Sequence, residues 1–354
     1  MTRWTSKPEP GPRSLALISP SHELDEHFIN EIAGLYERRL DDPEGLCTWF
    51  ADGPEWICFV RARGNDPISW GCSAAVLTFD SASGVDGASI ERWQSALASG
   101  LPGIACVSGL DNIASDFDES AAIIRRISSD YAAVEPIVAP LLSDDESVAG
   151  YLDLLGMRIW MHVDGDEVER TCDPEHLSVT SDARERLVES ILLATTDDDA
   201  VERAIDEGLD PVSIAGLFIG CARDGSVIPV LGAGELTGRS LIRAAISELL
   251  PGSGSLLPDV TTCDGYPSEP LSASGSTFAT RVSSHSLRVW SGSFANEADI
   301  KVGCKSTGQL RVAAGFHASA GHVVLCVSPL PSEANSGVSD PNSGLQRLDL
   351  TADE

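Results

Sequence analysis

Apolar residues in the first half of the chain fall into short runs and into segments with a one-sided spacing. Between Leu24 and Tyr36 they recur every three or four residues, as on one face of a helix, so we predict a helix over residues 21–40. The turn Gly64–Pro67 separates two apolar runs and predicts a hairpin. The remaining pattern predicts strands over residues 14–19, 56–63, 68–79 and 103–110, and helices over residues 90–98 and 119–133.

The segment from residue 133 to residue 164 completes this order. Its apolar run predicts a strand over residues 135–142, a capped helix that ends at Gly156, and a second strand over residues 157–163. Strands that alternate with helices indicate an α/β fold. We place this domain at residues 13–165.

The second half of the chain has a different pattern. A polar stretch with Cys and Pro predicts a linker over residues 166–177, and residues 178–330 predict a second domain of α+β type. The Pro-rich residues 1–12 and the Ser/Asp-rich residues 331–354 are predicted to be disordered tails. Within the second domain we predict helices over residues 182–195, 198–208, 211–222 and 238–250, and strands over residues 227–231, 277–282, 287–292, 300–304, 310–316 and 322–327.

The charge is strongly negative. Asp and Glu number 54 against 24 Lys and Arg, which gives a formal net charge of −30. Such a chain repels phosphate backbones and anionic lipids, so we expect neither nucleic acid nor a membrane surface as a partner. Acidic excess with only three lysines suits a salt-rich, halophilic cytoplasm, where screening weakens self-repulsion; an ordinary acidic actinobacterial-type protein is the alternative.

Cysteine and histidine spacing argues against disulfides and metals. The nine cysteines form no Cys-x-x-Cys pair, and most lie in apolar runs, which favours a reducing cytoplasm. His22 and His27 are five residues apart, about 140° round a helix, so they do not share the face that a zinc motif needs. We therefore expect a cytoplasmic protein without a metal site.

The segment around Gly156 resembles the GNAT acyltransferase superfamily. The pattern there is Asn-x-x-Ala-x-x-aromatic-Tyr-x-x-x-Gly-Phe, and this chain has Asp145, Val148, Tyr151, Leu152, Gly156 and Met157 at the corresponding positions. The resemblance covers about residues 13–165. It implies a GNAT-like mixed sheet flanked by helices, in which two neighbouring strands part in a V to admit acetyl-CoA.

The resemblance also implies functional residues. Backbone groups at the end of the fourth strand, Gly109 and Leu110, would hold the pantetheine arm, and Asp145 would lie at the cofactor site. Asp111 is placed to act as a base and Tyr151 as an acid, although Tyr151 stands one residue before the family's tyrosine, roughly 100° round a helix.

One loop departs from the family pattern. Where GNAT proteins have a Gly-rich loop for the pyrophosphate, residues 111–121 contain neither glycine nor arginine. Asp116, Asp118 and Glu119 place negative charge there instead, and ordinary helix capping explains them equally well. The acetyl-CoA loop is therefore degenerate in this chain.

Three functions follow as hypotheses. The first is an acyl-CoA-dependent N-acyltransferase that uses acetyl-CoA and acts on an unidentified small-molecule or peptide amine. The second is a catalytically degenerate GNAT-shaped protein that serves in binding or regulation. The third places the active part at the Gly-rich turn over residues 232–240, which follows a predicted strand and opens a helix.

Overall fold

The computed structural model describes the chain in segments. These are residues 4, 13–41, 45, 47–52, 55–62, 72–112, 115–143, 148–163, 166–199, 201–202, 210–232 and 239–251, followed by separate strands between residues 259 and 352. The statements below concern these residues. The helices are α1 (His22–Ala33), α2 (Gly87–Ala98), α3 (Phe117–Ser128), α4 (Pro174–Ala194), α5 (Pro211–Asp224) and α6 (Arg239–Ala244), which continues as a π-helix over Ala245–Leu249.

The strands are given in two groups, before and after residue 250. Up to that point they are β1 (Arg13–Ile18), β2 (Arg38–Asp41), β3 (Cys47–Asp52), β4 (Glu55–Arg61), β5 (Ala74–Asp80), β6 (Gly103–Ser108), β7 (Ala133–Pro136), β8 (Val138–Leu142), β9 (Val148–Asp153), β10 (Arg158–Val163), β11 (Asp166–Thr171) and β12 (Val227–Gly232). Beyond it they are β13 (Asp259–Val260), β14 (Glu269–Pro270), β15 (Thr277–Arg281), β16 (Ser286–Ser291), β17 (Ile300–Cys304), β18 (Gly308–Arg311), β19 (Gly321–Cys326) and β20 (Gln346–Ala352).

The fold is α/β, with a mixed β-sheet flanked by helices, as the sequence predicted. The chain forms two compact units. The first contains Met1–Glu9, Leu17–Leu35 and Ala75–Leu250, and the second contains Pro10–Ala16, Tyr36–Ala74 and Pro251–Glu354.

Four parallel strands form the centre of the first unit, in the order β5-β6-β12-β7. Apolar side chains from these strands are almost fully buried, as expected for parallel strands covered on both faces. Helix α3 contacts β6 and β7, while α5 contacts β12 and α4. A second sheet of the same unit is antiparallel, with the order β11-β10-β9-β8.

Side-chain caps fix the first residues of α2 and α3, and a buried tryptophan joins these two helices. The Asp86 and Asp116 side chains cap α2 and α3 by accepting the amides of Ser89 and Glu119. Trp93 of α2 is fully buried and donates its indole N–H to Ser128 Oγ of α3 at 2.9 Å. The indole also covers Gly103, whose missing Cβ would lie 2.4 Å from the ring, so β6 must begin with glycine here.

The second unit is built mainly of antiparallel strands. Strands β2, β3 and β4 pair in sequence, and Phe50 packs between Tyr36 and Phe59 with ring centroids 5.1 and 6.0 Å away. A six-stranded sheet has the order β18-β17-β20-β15-β16-β19, and β13 pairs with β14. The predicted helix over residues 21–40 ends at Ala33, where Gly34 forms the C-cap, and β2 occupies its predicted last residues. Strand β3 was not predicted.

The predicted helix before Gly156 is wrong. Residues 148–153 form β9, which pairs with both β8 and β10. Gly150 permits this pairing, since a Cβ there would lie 2.3 Å from the carbonyl oxygen of Trp160. Apolar spacing in so short a segment fits a helix or a strand, and the two neighbouring strands decide between them.

The expected domain division also differs from the structure. Strand β11 and the start of α4 occupy the predicted linker over residues 166–177, and β12 pairs with β6 and β7. Residues on both sides of that linker thus lie in one parallel sheet. The predicted tail over residues 331–354 contains β20, and most of the predicted helix over residues 198–208 lies outside the described residues.

Candidate functional site

A cavity of about 610 Å³ opens in the first unit where strands β6 and β7 end. The chain passes from β5 to β6 and on to β7, and then returns to place β12 between β6 and β7. In open α/β sheets, ligands bind at the carboxyl ends of the strands where the strand order reverses in this way. The fold therefore puts the cavity at a favoured ligand position.

The cavity wall is apolar at its base and polar at its rim. Buried side chains from four elements form the base, namely Leu110, Phe117, Ala121, Val138 and Leu154. Exposed side chains at the start of α3 and on α4 form much of the rim, including Asp116, Asp118 and Arg186. This combination suits an organic ligand with an apolar body and a polar end.

Glu135 is the least exposed of the charged residues that line the cavity. Its side chain is 14% exposed, and its Oε1 accepts a 2.7 Å hydrogen bond from Ser190 Oγ of α4. Its Oε2 lies 3.9 Å from Arg125 Nη2, which also donates to the carbonyl oxygen of Val134 at 3.1 Å. These contacts hold the carboxylate of Glu135 at the cavity wall. Glu135 was not among the predicted site residues, although a single acid inside the apolar run AVEPIVAPLL is a signal in the sequence.

The loop after β6 is shaped by Gly109. This residue has φ +71°, and a Cβ on it would lie 1.9 Å from Asp80 Oδ2 at the end of β5. Its carbonyl oxygen accepts hydrogen bonds from the Asn112 amide at 3.1 Å and from Ser115 Oγ at 2.5 Å. The loop thus folds back and delivers Leu110 to the base of the cavity.

The start of α3 is occupied by the chain's own carboxylate. Asp116 Oδ1 accepts the Glu119 amide at 3.0 Å, and the Asp116 carbonyl accepts the Ser120 amide. Asp118 and Glu119 add two more acids to the first turn. The position that would bind a pyrophosphate in the expected family is therefore acidic and already capped.

The structure brings several predicted site residues to one region. Gly109, Leu110 and Asp111 follow β6, and the Asp111 carboxylate accepts the Val148 amide at 3.1 Å. Tyr151 is 1% exposed, and a Cβ on Gly232 would lie 2.4 Å from its ring and 3.0 Å from Leu110. These residues are neighbours at the ends of β6 and β12. Asp145 lies outside the described residues, and so do residues 233–238 of the Gly-rich turn.

The V-shaped slot expected between the fourth and fifth strands is not present in the described sheet. Strand β12 fills that position and hydrogen-bonds to β6 on one side and to β7 on the other. In addition, Tyr151 stands on a strand, and its ring packs against Gly232. The geometric basis for a thioester slot is thereby removed.

The wall formed by Leu154 is supported from α4. Arg184 donates through Nη1 to the carbonyl oxygens of Leu154 and Leu155. Burial lowers the pKa of this guanidinium, and the nearby Asp153 acts in the opposite direction. Arg184 thus ties α4 to the turn between β9 and β10.

Among the residues that the structure describes, no group of three or more His, Cys, Asp or Glu side chains is placed to hold a metal ion. No helix in this part of the chain is long and apolar enough to cross a membrane.

Comparisons with known proteins give information on the fold of this chain but not on its function. No family model matches the chain, and no curated protein matches it. It is similar to a protein from Thermus thermophilus of known crystal structure, with a TM-score of 0.68 and 16% sequence identity. The match covers 95% of this chain and 54% of that one, so this chain spans about half the length of that protein. At this identity the likeness shows the fold alone.

Proposed function

We propose that this chain is a binding or regulatory protein that holds an amine-bearing small molecule or peptide in the cavity beside β6 and β7. The observation that carries this proposal is the acidic, self-capped start of α3. This proposal takes from the sequence hypotheses a protein that serves in binding or regulation. It adds the amine ligand that was expected for an acyltransferase, but it does not include acetyl-CoA.

Charge supports an amine over a coenzyme. Asp116, Asp118 and Glu135 line the cavity against two arginines, and one of these, Arg125, lies beside Glu135. Near a protein surface, two like charges 4 Å apart repel by about 4 kcal/mol before salt screening. A pyrophosphate at this rim would meet that repulsion more than once, whereas an ammonium group would be attracted.

The apolar base supports a ligand with a hydrocarbon body. Leu110, Phe117 and Val138 present carbon surface below the charged rim. Each buried methylene of a ligand contributes about 0.8 kcal/mol. An alkyl amine with its nitrogen near Glu135 and its chain on this surface meets both requirements.

An acyl-CoA-dependent N-acyltransferase is the second proposal. One observation favours it, which is that Gly109, Leu110, Asp111 and Tyr151 lie together at the ends of β6 and β12. The burial of Tyr151 and the contact of Asp111 with the Val148 amide weigh against direct roles in proton transfer. Acetyl-CoA binding would decide in its favour.

Thermal shift in molar KCl separates the two proposals. We expect an alkyl diamine such as 1,6-diaminohexane to stabilise the protein by about 2.7 kcal/mol at a hundredfold excess over its dissociation constant, with no shift from acetyl-CoA. Glu135→Gln should remove the diamine shift. Asp130→Asn is the matched control, because Asp130 is exposed beyond the end of α3 and does not line the cavity. A shift with acetyl-CoA alone would contradict the binding proposal and support the enzyme.

We also place the protein in the cytoplasm. The described cysteines Cys47, Cys58, Cys72, Cys106, Cys172 and Cys221 are all thiols rather than members of a disulfide, which suits a reducing compartment. The acidic charge is compatible with a salt-rich cytoplasm.

A further inference from the structure

Trp4 is buried in the first unit, and its hydrogen-bond partners there are distant from it in the sequence. Its side chain is 1% exposed, although the N-terminal sequence around it is polar and Pro-rich. It contacts residues that lie 149 and 244 positions further along the chain. A tryptophan buried to this extent contributes a large apolar area to the core, and its indole N–H needs a hydrogen-bond partner there.

Two buried carboxylates receive the polar atoms of Trp4. The indole Nε1–H donates to Asp153 Oδ2 at 3.0 Å, and the Trp4 backbone amide donates to Glu248 Oε2 at 3.0 Å. Asp153 is 2% exposed and Glu248 is 1% exposed. Hydrogen bonds to charged acceptors in a water-poor site are the stronger kind, and they require both donors at fixed positions.

The first carboxylate is held rigidly by its own turn. Asp153 Oδ1 accepts the amides of Leu155 and Gly156 at 2.9 and 3.2 Å, which leaves Oδ2 directed at the indole. A Cβ on Gly156 would lie 2.8 Å from that same oxygen. Arg184 supports the turn from α4 through the carbonyl oxygens of Leu154 and Leu155.

The second carboxylate comes from an unusual helix. Glu248 belongs to the π-helix over Ala245–Leu249, a form that is rare and often found at functional sites. Arg223 of α5 donates to the Glu248 carbonyl at 3.0 Å and fixes this segment. The site for Trp4 is thus built from two separate parts of the unit, each anchored by an arginine.

We propose that Asp153 and Glu248 form a binding site for a tryptophan residue, recognised through its indole N–H and its own backbone amide, which Trp4 occupies in the folded chain. We call these residues the tryptophan socket. The chain's own Trp4 fills the socket, and a free indole can enter it when the Trp4 side chain is removed. It is distinct from the amine cavity, although Leu154, next to Asp153, lines that cavity.

Chemical rescue of the full-length chain tests the socket. Trp4→Gly removes the indole, and we expect the melting temperature to fall by about 10 °C, as for loss of a large buried aromatic side chain. The variant keeps the backbone amide that Glu248 accepts, so 3-methylindole, which carries the missing indole N–H, should restore about 5 °C of that loss at millimolar concentration. 1,3-Dimethylindole, which has the same ring system but lacks the N–H, should restore less. The wild-type protein, whose socket is filled, should not respond to either compound.

A second variant keeps the test decisive if Trp4→Gly does not fold alone. Trp4→Phe retains a ring but leaves Asp153 Oδ2 without the indole donor, and we expect its melting temperature to fall by about 5 °C. Folding of Trp4→Gly only when 3-methylindole is present would also support the socket. An unchanged melting temperature for Trp4→Phe, or equal responses of wild type and Trp4→Gly to 3-methylindole, would overturn it.

Discussion

Replacing Gly109 by alanine tests the loop that positions the base of the cavity. Gly109 has φ +71°, a left-handed conformation that costs a residue with a Cβ about 1–2 kcal/mol. The new Cβ would also lie 1.9 Å from Asp80 Oδ2, so the Asp80 side chain must move. Moving it breaks the 3.0 Å hydrogen bond that Asp80 Oδ1 accepts from the Ser83 amide. Loss of a hydrogen bond to a charged group costs about 1.5–3 kcal/mol, so we expect a total of about 2.5–5 kcal/mol.

Gly100→Ala is the matched control for backbone strain. Gly100 has φ +78°, and a Cβ there would have no atom within 4 Å, so only the conformational cost applies. We expect Gly100→Ala to lower stability by about 1–2 kcal/mol. The difference of about 2 kcal/mol between the two variants then measures the contact of Gly109 with Asp80. Urea denaturation of both variants with a common m-value gives this difference from the midpoints.

A double-mutant cycle completes the measurement. Asp80→Ala removes the colliding oxygen, so it should cost less in the Gly109→Ala background than in the wild type, by at least about 1 kcal/mol. Equal midpoints for Gly109→Ala and Gly100→Ala would refute the proposed contact. Strict additivity of Asp80→Ala with Gly109→Ala would refute it independently.

Two further predictions use shifted pKa values. Asp173 is the N-cap of α4, and hydrogen bonds from the backbone and side chain of His176 lower the pKa of its carboxyl group. The ionised carboxylate therefore stabilises the fold above its unfolded pKa of 3.8, and this stabilisation is lost as the pH falls towards the lower pKa of the folded state. Urea midpoints should therefore fall more steeply below pH 4 for the wild type than for Asp173→Asn, and parallel curves would contradict this. Burial and, secondly, the charge of Glu31 raise the pKa of the Cys106 thiol, so iodoacetamide at pH 8 should label Cys106 only after unfolding in urea. Labelling of Cys106 in the native protein, mapped by mass spectrometry, would show the opposite.

Local signals in the sequence were sufficient to predict helices α2 and α3. Asp86 and Asp116 precede apolar faces and accept amides three residues ahead, so α2 and α3 form close to their predicted positions. The strand after α2 is likewise predictable, because β6 is a short, fully apolar run between turn residues. The strand predicted over residues 103–110 ends at Ser108, so Gly109, Leu110 and Asp111 follow it at the carboxyl edge of the parallel sheet.

Non-local pairing accounts for what the sequence did not predict. The residues of β9 can satisfy helical or strand spacing, and only β8 and β10 select the strand. Strand β12 was predicted as a strand, but no local pattern indicates that it inserts between β6 and β7, which precede it by about 90 residues or more. The resemblance to GNAT proteins depended on the segment that contains β9. The V-shaped slot that it implied is absent from the described sheet because β12 lies between β6 and β7.

The same insertion explains how this chain keeps a ligand position without the expected coenzyme chemistry. Strand β12 pairs with both β6 and β7, so no gap remains between these two strands. Its insertion also reverses the strand order, and the cavity lies at this point, beside the loop that follows β6. Amides at the start of α3 would favour an anion there, but Asp116 already accepts one of them and Asp118 adds a second negative charge. With Glu135 held in the cavity lining, the cavity retains the location of an anion site while its charge favours a cation. That opposition between position and charge is why we propose an amine as the ligand.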